Sequence, residues 1–191
     1  MSEKTQNSQN DNSRRSFVKK TGAAAAAGSA IAFPSVTFGE PNDKKLKIGV
    51  VGTGGRGGGA MMNAMKADDN VELWAMGDLY QEEAEKKLAM VQKYESTKDK
   101  VSESINSRVF SGIDSYKQVI DSGVDVILLT TPPGFRVQHF KAAVDAGIHS
   151  FVEKPCATDI HGVREFLETS KVAAEKDLSI LCGFCYRTSA L

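Results

Sequence analysis

The stretch LKIGVVGTGGRG, residues Leu46–Gly57, decides which fold the chain is expected to adopt. Its first half, LKIGVV, is a short apolar run with three β-branched residues, which is typical of a buried strand in a parallel sheet. Gly52, Gly54 and Gly57 follow at once with G-x-G-x-x-G spacing. In a strand–turn–helix unit, the first glycine permits the tight turn and the second lets a pyrophosphate approach the backbone. The third lets the helix pack closely against the strand.

Glycine spacing alone is a weak signal, because glycine-rich turns are common. Two further features strengthen this signal. The motif lies between a predicted buried strand and a predicted helix, and Asp78 follows the next apolar run, residues 71–76. Unpaired N–H groups and the helix dipole favour a phosphate at a helix start. A carboxylate at Asp78 accepts hydrogen bonds from a ribose 2′-hydroxyl and repels a 2′-phosphate, so we expect NAD rather than NADP. Asp78 also suits a cap for the following helix, and the two roles are compatible.

The composition is that of an ordinary soluble globular protein. Of the 191 residues, 41% are hydrophobic and 25% are charged, and the net charge is zero. A neutral chain gives no indication of a nucleic-acid partner. No run has the length and apolarity expected of a transmembrane helix.

The three cysteines do not form a disulfide framework. Cys182 and Cys185 have C-x-x-C spacing, which occurs in redox and metal sites, but a single pair lacks two further zinc ligands. Cys156 would approach them only if the last two strands are neighbours. We therefore expect packing or incidental cysteines, and no metal site.

Residues 1–40 are interpreted as a leader, separate from the domain at 45–191. The sequence SRRSFVK, Ser13–Lys19, resembles the twin-arginine signal S-R-R-x-F-L-K, with Val18 where leucine is usual. An alanine-rich stretch, Gly22–Ala32, follows it. This pattern predicts the twin-arginine export machinery as a partner and a periplasmic or other extracytoplasmic location. A disordered basic tail and an uncleaved membrane anchor are the alternatives.

The body of the chain alternates between apolar runs and helical patterns, which predicts a Rossmann-like α/β fold with a doubly wound, mostly parallel sheet. The polar segment 95–107 is expected to be a surface excursion. After the first strand, further strands are predicted at 71–76, 108–110, 124–130, 149–152 and 178–182, and helices at 58–69, 80–94, 114–120, 135–146 and 160–174.

The candidate site residues lie where strands end, since ligands bind at the carboxyl edge of an open parallel sheet. Arg56 lies in the glycine turn and either contacts a phosphate or is a solvated cation. His139, on a predicted helix, is expected to be a packing or surface residue rather than a catalytic one. The cofactor-binding candidates are Gly52, Gly54, Gly55, Arg56, Gly57, Asp78, Thr131, Pro132, Glu153 and Lys154.

From residue 46 to about 187 the chain resembles the Gfo/Idh/MocA oxidoreductases. The matching motifs are GTGGRG, Asp78, Thr131-Pro132-Pro133 and Glu153-Lys154-Pro155. The resemblance implies NAD-dependent hydride transfer on a sugar, polyol or related hydroxyl compound. It also implies that Lys154 is catalytic, contacting cofactor and substrate, and that Glu153 orients it. A lysine beside the reacting oxygen stabilises alkoxide character, and burial would lower its pKa.

Full-length members of that family continue into an α/β substrate domain, so this chain is expected to be truncated. The full-length protein is expected to form a homo-oligomer. We expect weak activity or none from the chain alone, and an exposed apolar surface on its last helices and strand. Arg187 has a weaker claim to contact substrate. Two alternative functions stay open: an NAD-dependent glycoside hydrolase of the same family, and a non-catalytic nucleotide-binding module.

Overall fold

Six parallel strands form one sheet in the structure, a computed structural model that describes residues 45–184. The strand order is β3-β2-β1-β4-β5-β6, so the chain first builds outward from β1 on one side and then on the other. This order is that of the dinucleotide-binding Rossmann fold, and it confirms the predicted fold class. The strands are β1 (Leu46–Val51), β2 (Val71–Asp78), β3 (Val109–Ser111), β4 (Val126–Leu129), β5 (His149–Val152) and β6 (Ile180–Cys182).

Five α-helices connect these strands. The first begins at Gly55, inside the glycine motif, rather than after Gly57 as the sequence analysis expected. The fourth begins at Pro133, since proline is tolerated in the first turn of a helix, where its missing N–H has no intrahelical role. The helices are α1 (Gly55–Ala67), α2 (Gln81–Lys93), α3 (Ser115–Asp121), α4 (Pro133–Asp145) and α5 (Ile160–Glu175).

The sheet is covered on both faces, as a doubly wound fold requires. Met61 and Met65 of α1 pack with Leu88 of α2 in one cluster of buried side chains. Phe140 of α4 and Ala173 of α5 belong to the other. Because both faces are covered, the polar groups at the carboxyl ends of the strands are held by a rigid framework.

The polar segment 95–107 is more ordered than the sequence analysis expected. It forms two 3₁₀ turns, Lys98–Lys100 and Ile105–Arg108. Thr97 is fully buried, and its Oγ1 donates a hydrogen bond of 2.9 Å to the carbonyl oxygen of Val91. The segment is polar, but it packs against α2 and is not a surface excursion along its whole length.

Two further aspartates directly precede helices, and only one of them makes a capping hydrogen bond. Asp159 caps α5, because its Oδ1 accepts a hydrogen bond of 2.8 Å from the N–H of Gly162. Asp114 precedes α3, but its side chain makes no capping hydrogen bond.

Several apolar side chains of the last helix and strand are exposed, as predicted. They do not extend the core, and they add apolar area to the surface. Its most exposed members are Ile160, Val163 and Leu167 of α5 and Leu181 of β6.

The predicted leader, Cys185 and Arg187 lie outside the described residues. Within residues 45–184, no helix has the length and apolarity that crossing a bilayer requires.

Replacing Gly57 with alanine should destabilise the domain. A Cβ at this position would lie 1.9 Å from the carbonyl oxygen of Gly52, so the start of α1 would have to move away from β1. We expect a loss of about 1–3 kcal/mol in the free energy of unfolding, measured by denaturant titration.

Gly134 is the matched control, since it also lies in a helix but a Cβ there would meet no atom within 4 Å. Gly134→Ala should stabilise the domain by about 0.4–1 kcal/mol. Equal effects of the two substitutions would contradict a close approach between α1 and β1.

Candidate functional site

A cleft of about 430 Å³ opens at the carboxyl ends of β1, β2 and β4. The strand order reverses between β1 and β4, and open α/β sheets bind ligands at this switch point. Most of the predicted cofactor-binding residues line this cleft, namely Gly52, Gly54, Gly55, Arg56, Gly57, Asp78, Thr131 and Pro132.

The glycine loop leaves space where a dinucleotide phosphate is expected. Gly52 has a positive φ of 86°, which side-chain-bearing residues rarely adopt. Cβ atoms built on Gly54 and Gly55 would have no atom within 4 Å, so these positions face open space in the cleft. No side chain caps the start of α1, so no side chain competes with a ligand for its first N–H groups. These features fit a diphosphate.

Asp78 is fixed at the end of β2 by a loop residue. Its Oδ2 accepts hydrogen bonds from the N–H of Thr53 at 2.6 Å and from the Thr53 hydroxyl at 2.9 Å. Its Oδ1 accepts a weaker one, of 3.2 Å, from the N–H of Tyr80 at the start of α2. The carboxylate is therefore anchored at the cleft, where a ribose hydroxyl can donate to it.

Glu153 is a buried carboxylate that joins the glycine loop to the end of β5. Its Oε1 accepts a hydrogen bond of 2.5 Å from Nε of Arg56, and its Oε2 accepts one of 2.7 Å from the N–H of Lys154. Its side chain is only 2% exposed, so Arg56 compensates a desolvated charge. Arg56 is thus a partner of Glu153 and not simply a solvated cation; its contact with a phosphate remains a prediction.

Lys154 is not among the residues that line the cleft, although the sequence analysis placed it with the cofactor-binding candidates. It directly follows Glu153, and the peptide bond between Lys154 and Pro155 is cis. Its side chain is exposed, so the burial considered in the sequence analysis is not present. Glu153 orients the main chain of Lys154, because its hydrogen bond is to the backbone N–H.

Arg136 is a site residue that the sequence analysis missed. It lines the cleft in the first turn of α4, is 5% exposed, and donates from Nη1 to the carbonyl oxygen of Pro155 at 2.5 Å. Burial lowers its pKa, and the nearby charge of Glu153 opposes that shift. Within the described residues its buried Nε has no hydrogen-bond partner, which makes it a donor for a ligand. A lone arginine in a helix pattern gave no local signal of this role.

His139 packs in the wall of the cleft. Its ring stacks on that of Tyr116, with centroids 4.1 Å apart, and its Nδ1 lies 3.3 Å from the hydroxyl of Thr131. Burial lowers the pKa of His139 to about 4, so the imidazole is uncharged at neutral pH. This arrangement agrees with the expected packing role.

The fold and the cleft together define a dinucleotide-binding Rossmann domain. A sequence model of an oxidoreductase family with an NAD-binding Rossmann fold matches residues 46–183. The chain belongs to this family, Gfo/Idh/MocA, and NAD is the cofactor of its domain.

Two curated relatives have the same name, glycosyl hydrolase family 109 protein. The one from Solibacter usitatus is 30% identical over 166 residues, which are 86% of this chain and 36% of that protein. The one from Streptomyces coelicolor is 28% identical over 130 residues, 66% of this chain and 25% of that protein. The chain therefore spans well under half the length of the relatives that it matches.

A solved structure similar to this domain is scyllo-inositol dehydrogenase from Lactobacillus casei with bound NAD(H) and scyllo-inositol. It is 25% identical, with a TM-score of 0.59, and the match covers 76% of this chain and 38% of that chain.

Replacing Gly54 with leucine should weaken NAD binding without unfolding the domain. The new side chain would occupy open space in the cleft where the diphosphate is expected, so we expect at least about a tenfold increase in Kd, or 1.4 kcal/mol. Isothermal titration calorimetry of the purified chain measures this.

Gly134→Leu serves as the control, because Gly134 has equal space around it but is not among the residues lining the cleft. Unchanged NAD affinity in the Gly54 variant would show that the diphosphate does not lie on this loop.

Proposed function

We propose that this domain holds NAD for the reversible oxidation of a secondary alcohol on a sugar, polyol or related hydroxyl compound. One observation carries the proposal: buried Glu153 connects the glycine loop, through Arg56, to the backbone of Lys154. The loop expected to hold the diphosphate and the lysine proposed to meet the substrate are thereby fixed relative to each other.

Each residue of the site has a distinct part in this proposal. Bound NAD supplies a hydride acceptor or, in the reverse direction, a hydride donor. The first turn of α1 would hold the diphosphate and Asp78 a ribose hydroxyl. Lys154 would donate a hydrogen bond to the reacting oxygen and stabilise its alkoxide character. Arg136 positions the Lys154 segment by holding the carbonyl oxygen of Pro155.

The chemical class of the substrate is supported by similarity rather than by this cleft. The Lactobacillus casei enzyme is named as a scyllo-inositol dehydrogenase, and scyllo-inositol is a polyol. This chain matches only 38% of that one, so the comparison leaves most of that enzyme without a counterpart here. The substrate class is therefore part of the proposal.

Lys154→Met, made in the protein expressed from its complete gene, should lower kcat by about 10²–10⁴-fold, the usual contribution of a group that assists proton transfer. NAD affinity should fall by a much smaller factor, because the cofactor is expected to keep its contacts with the glycine loop and Asp78. Initial rates of NADH formation with inositols, and NAD titration of the same samples, separate the two effects.

Lys171→Met is the matched control, since Lys171 is an exposed lysine of α5 paired with Glu168 at 2.7 Å. If the Lys154 variant lost NAD binding and turnover equally, Lys154 would act through cofactor binding alone and would not be the proposed catalytic group.

A second candidate function is NAD-dependent glycoside hydrolysis, favoured by the names of the two curated relatives. In this chemistry a transient oxidation by bound NAD enables glycoside cleavage, so the same cleft would serve either reaction.

The two functions differ in their products. With a nitrophenyl α-N-acetylgalactosaminide, a hydrolase releases nitrophenol without net formation of NADH. A dehydrogenase acting on polyols accumulates NADH. Turnover of neither substrate class, with NAD binding intact, would favour a non-catalytic nucleotide-binding module.

A further inference from the structure

The fold pairs two cysteines that are far apart in sequence. Cys156 follows the Lys154-Pro155 segment, and Cys182 is the last residue of β6. Their Sγ atoms are 3.2 Å apart. In sequence, Cys182 has C-x-x-C spacing with Cys185, but among the described residues its sulfur contact is with Cys156, 26 positions away.

Strand pairing explains this contact. β5 and β6 are parallel neighbours, with Val152 opposite Cys182, and the N–H of Gly183 donates to the carbonyl oxygen of Val152 at 2.9 Å. After β5 the chain continues through Glu153 to Cys156, which contacts Cys182 at the end of β6. Both thiols are only partly buried, so a small oxidant can reach them.

We propose that Cys156 and Cys182 are a redox-active pair, which closes into an intrachain disulfide when a low-molecular-weight disulfide such as glutathione disulfide oxidises the folded chain. The Cys156 thiolate attacks one sulfur of the oxidant, forming a mixed disulfide and releasing one reduced thiol. Cys182 then attacks the Cys156 sulfur, loses its proton to solvent and releases the second thiol. The two cysteines lose two electrons in total, and the oxidant gains them.

The order of attack follows from the surroundings of Cys182. Burial, reinforced by the hydrogen bond with Cys156, raises the pKa of Cys182 to about 12. Cys182 is therefore a thiol at neutral pH and a weak first nucleophile. Closure requires little movement, because a disulfide bond is about 2.05 Å long and the sulfur atoms already touch.

The disulfide bond would link the segment that contains Lys154 covalently to β6, an edge strand. β6 has only three residues and pairs only with β5 in the described sheet, so local opening there is expected to be easier than in the centre. This role goes beyond the proposed function, since it requires neither NAD nor substrate. The predicted export would carry the folded chain into a compartment where disulfides persist.

The test is oxidation of the full chain by glutathione disulfide at mildly alkaline pH and without NAD, followed by alkylation and peptide mass spectrometry. We expect two thiols to become resistant to alkylation and a cross-linked peptide joining Cys156 to Cys182. Cys185→Ser should close at the wild-type rate. Cys156→Ser and Cys182→Ser should each lose this cross-link, because exchange depends on which sulfur is within reach and the Sγ atoms of these two residues are 3.2 Å apart.

The same wild-type chain in urea is a second measurement, which needs no variant to fold. There the shorter loop between Cys182 and Cys185 should close preferentially, because the entropic cost of closure rises with loop length. Equal disulfide patterns in the folded and unfolded chain, or slow closure of Cys185→Ser, would overturn the proposal. NAD titration of the reduced chain is independent of these results, so failure of the proposed function would be seen separately.

Discussion

The close approach of α1 to the end of β1 is the constraint on which the rest of the structure depends. At Gly57 there is no room for a Cβ, because the carbonyl oxygen of Gly52 would lie 1.9 Å from it. A helix packed this closely starts directly above the carboxyl edge of the sheet, where it presents its first N–H groups to the cleft. At Gly54 and Gly55, by contrast, a Cβ would meet only open space. One motif therefore contains glycines of two kinds: some are required by packing and others leave room for a ligand.

The ion pair of Arg56 with buried Glu153 connects the start of α1 to the end of β5. Burying the Glu153 carboxylate without a partner of opposite charge would cost free energy. Arg56, in the glycine motif, is that partner. The second oxygen of the same carboxylate holds the backbone of Lys154. Arg136 adds a hydrogen bond to Pro155 from α4, so residues from the end of β5 and from the first turns of α1 and α4 hold the segment. An exposed lysine can in this way have a defined main-chain position.

Local patterns in the sequence predicted the strands, the glycine turn and Asp78, because each depends on a few adjacent residues and on the periodicity of the strand or helix. They predicted a doubly wound, mostly parallel sheet as well, since alternating strands and helices leave few topologies, but they left open whether β5 and β6 are neighbours. They did not predict the pair of Arg56 with Glu153, because 97 residues separate the partners and nothing local marks either one as buried. The segment 95–107 was misjudged for a related reason. Its composition is polar, yet tertiary contacts bury Thr97 and Ile105.

The contact between Cys156 and Cys182 shows how topology can override sequence spacing. In an unfolded chain, two cysteines with two residues between them meet far more often than a pair 26 positions apart. Parallel pairing of β5 with β6 brings the distant partner into contact, because it fixes Cys182 beside the chain that leaves β5. The same pairing brings Gly183 so close to Glu153 that a Cβ there would lie 2.8 Å from the carboxylate. The last strand, the buried acid and the Lys154 segment are thus parts of one packed unit, and a change in the sulfur contact would be transmitted first to the backbone that carries Lys154.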